Sequence, residues 1–277
     1  MGLRIATNTT ALQAQRQMSL TKGQMDKSLE KLASGNRINH AGDDAAGLAI
    51  SENLRAQIRG IRQAKRNALD GVSMIQVSEG GLSEISSMLI RLRELAIQAA
   101  SDTVGDTERL FTDREFQSLK EEIDRISNIT QFNGVPLLNG KAGIFEVQVG
   151  IKNNPILDRI VYNGERSDST IDSLKLGGES VATKQGAQLG LAVIDDALVR
   201  VNSIRADLGA LQNRLQATIN NLSISEENVS AANSRIRDTD MAEEISELTK
   251  QNILMNSGVA VLGHANNSSQ AALKLVG

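Results

Sequence analysis

Hydrophobic residues recur along most of this chain at alternating spacings of three and four, the mark of helices that bury one stripe. The pattern is clearest near the C-terminus. Met241, Ile245, Leu248, Met255, Val259, Leu262, Leu273 and Val276 share one register, with Asn252, Asn266 and Ser269 as its polar entries. At the other end Ile5 and Leu12, then Met18, Met25, Leu29 and Leu32, form a weaker stripe. A heptad stripe needs a partner helix to cover it. The two ends are therefore expected to act as halves of one coiled coil. Gly23, Gly258 and Gly263 interrupt the stripes, each costing about 1 kcal/mol relative to Ala in a helix. Helices held this weakly are marginal in water until something packs on them. The termini are thus expected to order on assembly, and function to lie in self-association.

Between the ends, Leu54, Ile58, Ile61, Ala68, Val72, Ile75, Leu82, Leu89 and Ala96 keep one register, broken by Lys65, Glu79, Ser86 and Arg93. This predicts a long helix after a loop at His40–Asp44, with a kink expected at Gly80-Gly81. A second helix is expected to begin near Thr112, where Thr112 and Glu115 have capping-box spacing, and to continue through Leu119, Ile123 and Ile126. Residues 132–178 change character. They hold both prolines, Pro136 and Pro155, and two segments that alternate like strands, Phe145–Val149 and Arg159–Tyr162. From about Gly186, Leu191, Ile194, Leu198, Val201, Leu208, Leu215, Ile219 and Leu222 restore the helical register.

The expected fold is mainly α: a long helical bundle with a terminal coiled coil and a small central β-hairpin region. Residues 1–42 and 235–277 would be the two halves of an inner coiled-coil domain. Residues 43–234 would form a helical domain with its hairpin insert at 132–178.

Composition narrows the function. Aromatic residues make up 2% of the 277 residues, with no Trp and one Tyr. Aliphatic side chains must therefore fill the core, which suits slender bundles better than a thick globule. A net charge of −3 from 30 basic and 33 acidic residues does not suggest nucleic acid as a general partner. The absence of cysteine excludes disulfides and thiolate metal sites. No apolar run reaches membrane-spanning length, and the start lacks an apolar signal core. Export, if it occurs, is expected to proceed without a cleaved signal.

No constellation for catalysis or for a cofactor emerges. His40 and His264 stand at opposite ends with no ligand partner at helical spacing, and are assigned to surface or interface roles. Asp43-Asp44 fits charge at a helix N-terminus better than a catalytic pair, because adjacent residues do not face each other. Asp238-Thr239-Asp240 lacks the turn glycine and spaced ligands of a calcium loop. Arg55, Arg59, Arg62 and Arg66 form a basic helical face. With no aromatic residue interleaved, it reads as a solvated or ion-paired face before a nucleic-acid or lipid site.

The residues resemble bacterial flagellin over nearly the whole chain. The resemblance rests on Ile5–Leu12, on Leu32-Ala33-Ser34-Gly35-Asn36-Arg37-Ile38-Asn39 followed by Asp43-Asp44-Ala45-Ala46-Gly47-Leu48-Ala49-Ile50, and on Gln131-Phe132-Asn133-Gly134. It also rests on Phe145–Gly150 and on Asn228–Ile236, with Asp238-Thr239-Asp240-Met241-Ala242 after it. The resemblance implies a filament subunit for motility whose terminal helices build an inner tube. The variable outer domains of many members are missing. It further implies export through a flagellar type III apparatus and an extracellular location in the filament. The implied partners are other copies of itself, a secretion chaperone on the C-terminal stripe, and filament cap and hook-associated proteins. By the same resemblance a host Toll-like receptor would contact Arg91, Leu95 and Glu122. A hook-filament junction protein, which shares the terminal helices, is the alternative reading.

Overall fold

A computed structural model describes the backbone of residues 7–276 and side chains through residue 267. Five helices carry the fold: α1 (Thr9–Ser34), α2 (Ala45–Ala99), α3 (Asp106–Ile129), α4 (Lys184–Arg237) and α5 (Met241–Val276). Between α3 and α4 lie β1 (Gln131–Phe132), β2 (Val135–Pro136), β3 (Ile144–Gln148) and β4 (Arg159–Asn163). These pair as two antiparallel hairpins, β1 with β2 and β3 with β4. The mainly α architecture with a small β region is the one the periodicity predicts.

The chain divides into two compact units. One joins the segment up to Ala56 to the segment from Asn228 onward; the other is Gln57–Glu227.

The core of the second unit follows the predicted stripes. Ile75, Leu82 and Leu89 of α2, Phe116 and Ile123 of α3, and Ile194 and Val201 of α4 are fully buried. The hairpin region adds Leu137, Leu138 and Tyr162. Tyr162 donates its hydroxyl to Leu137 O at 3.0 Å, so the buried ring carries no unpaired polar atom. The β1–β2 turn is Asn133-Gly134, both at positive φ (50° and 79°), as the tight hairpin turn requires. β3 and β4 run in register from Ile144 opposite Asn163 to Gln148 opposite Arg159.

One local expectation is corrected. α3 starts at Asp106, six residues before Thr112. The Gly105 N–H donates to Glu108 Oε2 at 2.8 Å, while Thr112 Oγ1 returns to Glu108 O at 3.1 Å inside the helix. α2 runs through Gly80-Gly81 as one helix. A Cβ on Gly81 would sit 2.8 Å from both Leu138 Cδ1 and Thr130 Oγ1. That glycine therefore lets the hairpin region approach α2 closely.

Candidate assembly surfaces

In the terminal unit, Asn8 caps α1 by accepting from Ala11 N at 3.0 Å, and Gly35 ends it in the left-handed conformation. Asp44 accepts from Gly47 N at 2.8 Å at the start of α2. Asp43 instead braces the preceding loop, accepting from His40 N at 3.0 Å and Asn39 N at 3.3 Å. These bonds to its charged form hold the Asp43 carboxyl below its usual range.

α1 and α5 pair antiparallel. Asn8 Nδ2 donates to Ala265 O at 2.9 Å, Met18 lies against Gly258, and Lys31 Nζ meets Glu244 Oε2 at 3.4 Å. The corner beyond them is stitched by backbone. Asn36 bridges Asp238, the Arg37 N–H donates to Arg237 O at 2.6 Å, and the Thr239 N–H to Gly35 O at 3.0 Å. Arg37 Nη2 also reaches Ile236 O at 2.7 Å. Arg237 and Arg55 both bond Glu52. These contacts, Arg237 foremost, hold the Glu52 carboxyl below its usual range.

The shielded faces of the pair are Ala14, Met18, Thr21, Met25, Ser28 and Leu32 on α1, and Leu248, Gln251, Met255, Gly258, Leu262 and Ala265 on α5. This seam is thin and partly polar. Thr21, Ser28 and Gln251 are buried, and Gln251 Oε1 has no hydrogen-bond partner. Gln251 Nε2 bonds Glu247 Oε1 at 2.6 Å. With Lys250 and Lys31 it lowers the Glu247 pKa, the Gln251 bond being the largest cause.

The predicted assembly residues divide between two faces. Leu32, Leu248, Met255 and Leu262 turn into the seam, whereas Leu12, Leu29, Met241, Ile245 and Val259 are exposed. Ile5 and the side chains of Leu273 and Val276 lie outside the described residues. The periodicity missed the seam positions Thr21, Ser28 and Gln251 because their side chains are polar. It also missed Leu20, Ile253, Leu254 and Val261, which join the exposed apolar set. After pairing with each other, α1 and α5 thus still present apolar surface on their outer sides.

The three residues assigned to a receptor do not form one surface. Arg91 is exposed and bonded to Glu94 (Nη1–Oε2, 3.0 Å) and Glu115 (Nη2–Oε1, 2.8 Å); these partners, Glu115 first, raise its pKa. Glu122 pairs with Arg125 at 2.5 Å. Leu95 is 2% exposed and belongs to the core. It faces the bundle and has no surface to offer a partner docking on the folded unit. On the basic face, Arg55 pairs with Glu52 at 2.7 Å and Arg62 with Glu226 at 2.6 Å. Among the described residues no helix is long and apolar enough to cross a membrane.

Comparison with known proteins gives a consistent family. Residues 5–142 match the bacterial flagellin N-terminal helical region, and residues 191–276 the C-terminal helical region. The chain is 45% identical over 269 residues to a flagellin of Halalkalibacterium halodurans, covering 97% of this chain and 98% of the relative. It is 41% identical to a flagellar filament core protein of Treponema maltophilum, with 97% and 98% covered. Among solved structures, Bacillus cereus flagellin superposes with a TM-score of 0.51 at 31% identity, over 61% of this chain and 94% of that one. A flagellar hook-associated protein of Vibrio parahaemolyticus superposes with a TM-score of 0.58 over 71% of this chain and 100% of that one. Its 18% identity makes this a likeness of fold alone.

Proposed function

This chain belongs to the bacterial flagellin family and is a structural subunit of the flagellar filament, and from that premise we propose that it polymerises by folding its two ends as they dock. The observation that carries this reading is the apolar surface left on α1 and α5 after they pair. Leu12, Leu20, Leu29, Ile245, Ile253 and Val259 are exposed in one chain. Patches of that kind mark interaction surfaces. The thin seam supports the coupling. Ordering roughly 80 terminal residues costs about 1–2 kcal/mol each, and a seam holding Thr21, Ser28, Gln251 and Gly258 recovers only part of it. Neighbouring copies supply the rest, so free chains stay soluble and growth needs an existing end.

The junction-protein alternative is less well supported. Its structural relative shares 18% identity, whereas full-length filament relatives reach 45%. The family is structural, and no enzymatic role is proposed.

In our reading the C-terminal apolar stripe, approximately Met241 to Val276, is what a secretion chaperone covers before type III export. The cap and hook-associated proteins meet the same terminal helices at the filament ends. A receptor reading of α2 and α3 rests on Arg91 and Glu122, since Leu95 is enclosed.

The test is seeded growth. Heat-depolymerised protein is added to short filament seeds and followed by electron microscopy and circular dichroism. Long filaments with a rise in helicity are expected. A persistent monomer with no gain in helicity would reject polymerisation by coupled folding and favour the junction protein.

A further inference from the structure

The hairpin region carries three Asn-Gly pairs, Asn133-Gly134, Asn139-Gly140 and Asn163-Gly164. Asn is chemically labile. It is most labile before Gly, because no Cβ hinders the approach of the next backbone nitrogen to the side-chain carbonyl carbon. The residue before each pair is bulky and apolar, Phe132, Leu138 or Tyr162. Sequence alone therefore makes the three pairs alike. The fold makes them different.

Asn163-Gly164 is held at both reacting groups. The Gly164 N–H donates to Gly143 O at 2.8 Å, and Asn163 Oδ1 accepts from Glu165 N at 3.0 Å. Gly164 is also buried. Asn139-Gly140 is held at the side chain. Asn139 Oδ1 accepts from Lys141 N at 3.1 Å, and its Nδ2 reaches Asn128 Oδ1 at 3.5 Å. Both residues of this pair are half-buried. Asn133-Gly134 is held at neither group. Both residues are exposed. Among the described residues, neither the Asn133 carboxamide nor the Gly134 N–H has a hydrogen-bond partner. Nothing lies within 4 Å of the Cβ position of Gly134, so water and base reach this turn freely.

We propose that Asn133 is a site of spontaneous covalent modification, at which the β1–β2 turn deamidates while Asn139 and Asn163 are protected. A base from solvent removes the Gly134 amide proton, and that nitrogen attacks Asn133 Cγ. The new C–N bond closes a succinimide ring. The Cγ–Nδ2 bond breaks, and the nitrogen takes up a proton and leaves as ammonia. Water then opens the ring. Attack at Cγ gives aspartate; attack at the Asn133 backbone carbonyl carbon gives isoaspartate, whose main chain runs through Cβ and Cγ. One water enters, one ammonia leaves, and nothing is oxidised or reduced.

The two products act differently on the fold. Either one places a carboxylate on the rim of an open cavity that Asp70 and Glu146 also line. Isoaspartate further adds a backbone carbon to the turn that sets Phe132 opposite Val135. That turn requires positive φ at both of its residues, and Phe132 packs on the core. Isoaspartate should therefore loosen β1 and β2, whereas aspartate only adds charge. Each chain thus carries a mark of its age in the 57–227 unit.

The test incubates the folded full-length chain at neutral and mildly alkaline pH, beside a sample kept in concentrated denaturant. Mass spectrometry of peptides follows each Asn, and methyl transfer by an isoaspartyl methyltransferase counts isoaspartate. In denaturant the three pairs should convert at similar rates. In the folded chain Asn133 should convert about tenfold or more faster than Asn163, the scale of freeing hydrogen-bonded reacting groups. Asn139 should fall between them. The Asn133 rate should rise with pH, because base removes the amide proton. A folded Asn133 as slow as Asn163, or the same ranking in denaturant, would overturn the proposal. Asn133→Gln keeps the amide but closes a ring far more slowly. It should remove most methyl acceptance from the aged folded chain; undiminished acceptance would assign the modification elsewhere and overturn the site.

Discussion

Met18 of α1 lies over Gly258 of α5 so closely that a Cβ on Gly258 would fall 2.9 Å from Met18 Cγ. The glycine is a hole in one helix that receives a side chain from the other. Gly263, five residues on in the same helix, has nothing within 4 Å of the equivalent position. The same substitution should therefore act with opposite sign at the two sites. Gly263→Ala gains about 0.5–1 kcal/mol of helix propensity without a clash. Gly258→Ala gains the same amount but displaces Met18, and overpacking costs about 1–3 kcal/mol. Thermal depolymerisation of filaments should shift upward for Gly263→Ala and downward for Gly258→Ala. Equal upward shifts would mean that Met18 does not fill that hole.

Arg109 locks the α2–α3 turn from inside. The residue is 7% exposed, and its guanidinium donates to Ala99 O at 2.9 Å, Ser101 O at 2.8 Å and Asp106 Oδ1 at 2.7 Å. Arg109→Met leaves the two carbonyls at the end of α2 without these partners. The expected loss is about 2–4 kcal/mol, from buried hydrogen-bond groups left unsatisfied. Arg109→Lys should recover little, because one ammonium cannot reproduce the planar fork. Denaturant unfolding of the free chain measures both values. A loss under about 1 kcal/mol for Arg109→Met would contradict the assigned role.

The corner joining the ends of α1 and α4 should weaken in acid. Arg237 and Arg55 hold the Glu52 carboxyl below the ordinary glutamate value of 4.5. A carboxylate with a lowered folded pKa stabilises the fold above its unfolded value and loses that contribution as pH falls through the folded one. Hydrogen-exchange protection of the Arg37 and Thr239 amides in filaments should therefore hold at neutral pH and fall below about pH 4.5. Glu52→Gln should lower protection at neutral pH and flatten the acid step. Because the pair is exposed, added salt should weaken the effect. An unchanged acid step in Glu52→Gln would assign it to another group, with Asp43 and Glu247 the next carboxyls to test.

Much of the fold was legible because Leu, Ile and Val mark what is buried. Ile75, Leu82, Leu89, Ile194 and Val201 were readable by spacing alone, and the alternation of Phe145–Val149 located the longer hairpin. The seam of the terminal pair was harder to read. Its shielded positions include Thr21, Ser28, Gln251 and Gly258, which give no apolar signal, so the predicted stripe mixed seam residues such as Leu32 and Leu248 with the exposed Leu12, Leu29, Ile245 and Val259 beside them. A sequence pattern cannot separate burial within a chain from burial between chains, and both put apolar residues at heptad spacing. Leu95 shows the reverse error. A motif placed it on a surface, while its register with Leu82, Leu89 and Leu92 belongs to the core. The early start of α3 escaped because Gly105 is capped by Glu108, and no Ser, Thr, Asp or Asn marks that position.

Ile245 gives the cleanest separation of the two kinds of burial. It is 51% exposed on the outer side of α5, so about half of its apolar surface has no cover within its own chain. An exposed position of this type normally tolerates substitution within about 0.5 kcal/mol. Ile245→Asp should therefore leave the thermal unfolding of the 57–227 unit unchanged and the free chain soluble. Seeded elongation should nonetheless stop, because docking would bury an unpaired carboxylate against apolar surface. Leu12→Asp should behave like Ile245→Asp from the other helix. If Ile245→Asp and Leu12→Asp chains elongate at the wild-type rate, the outer stripe is not the surface that joins subunits, and polymerisation must use the seam or the hairpin unit instead.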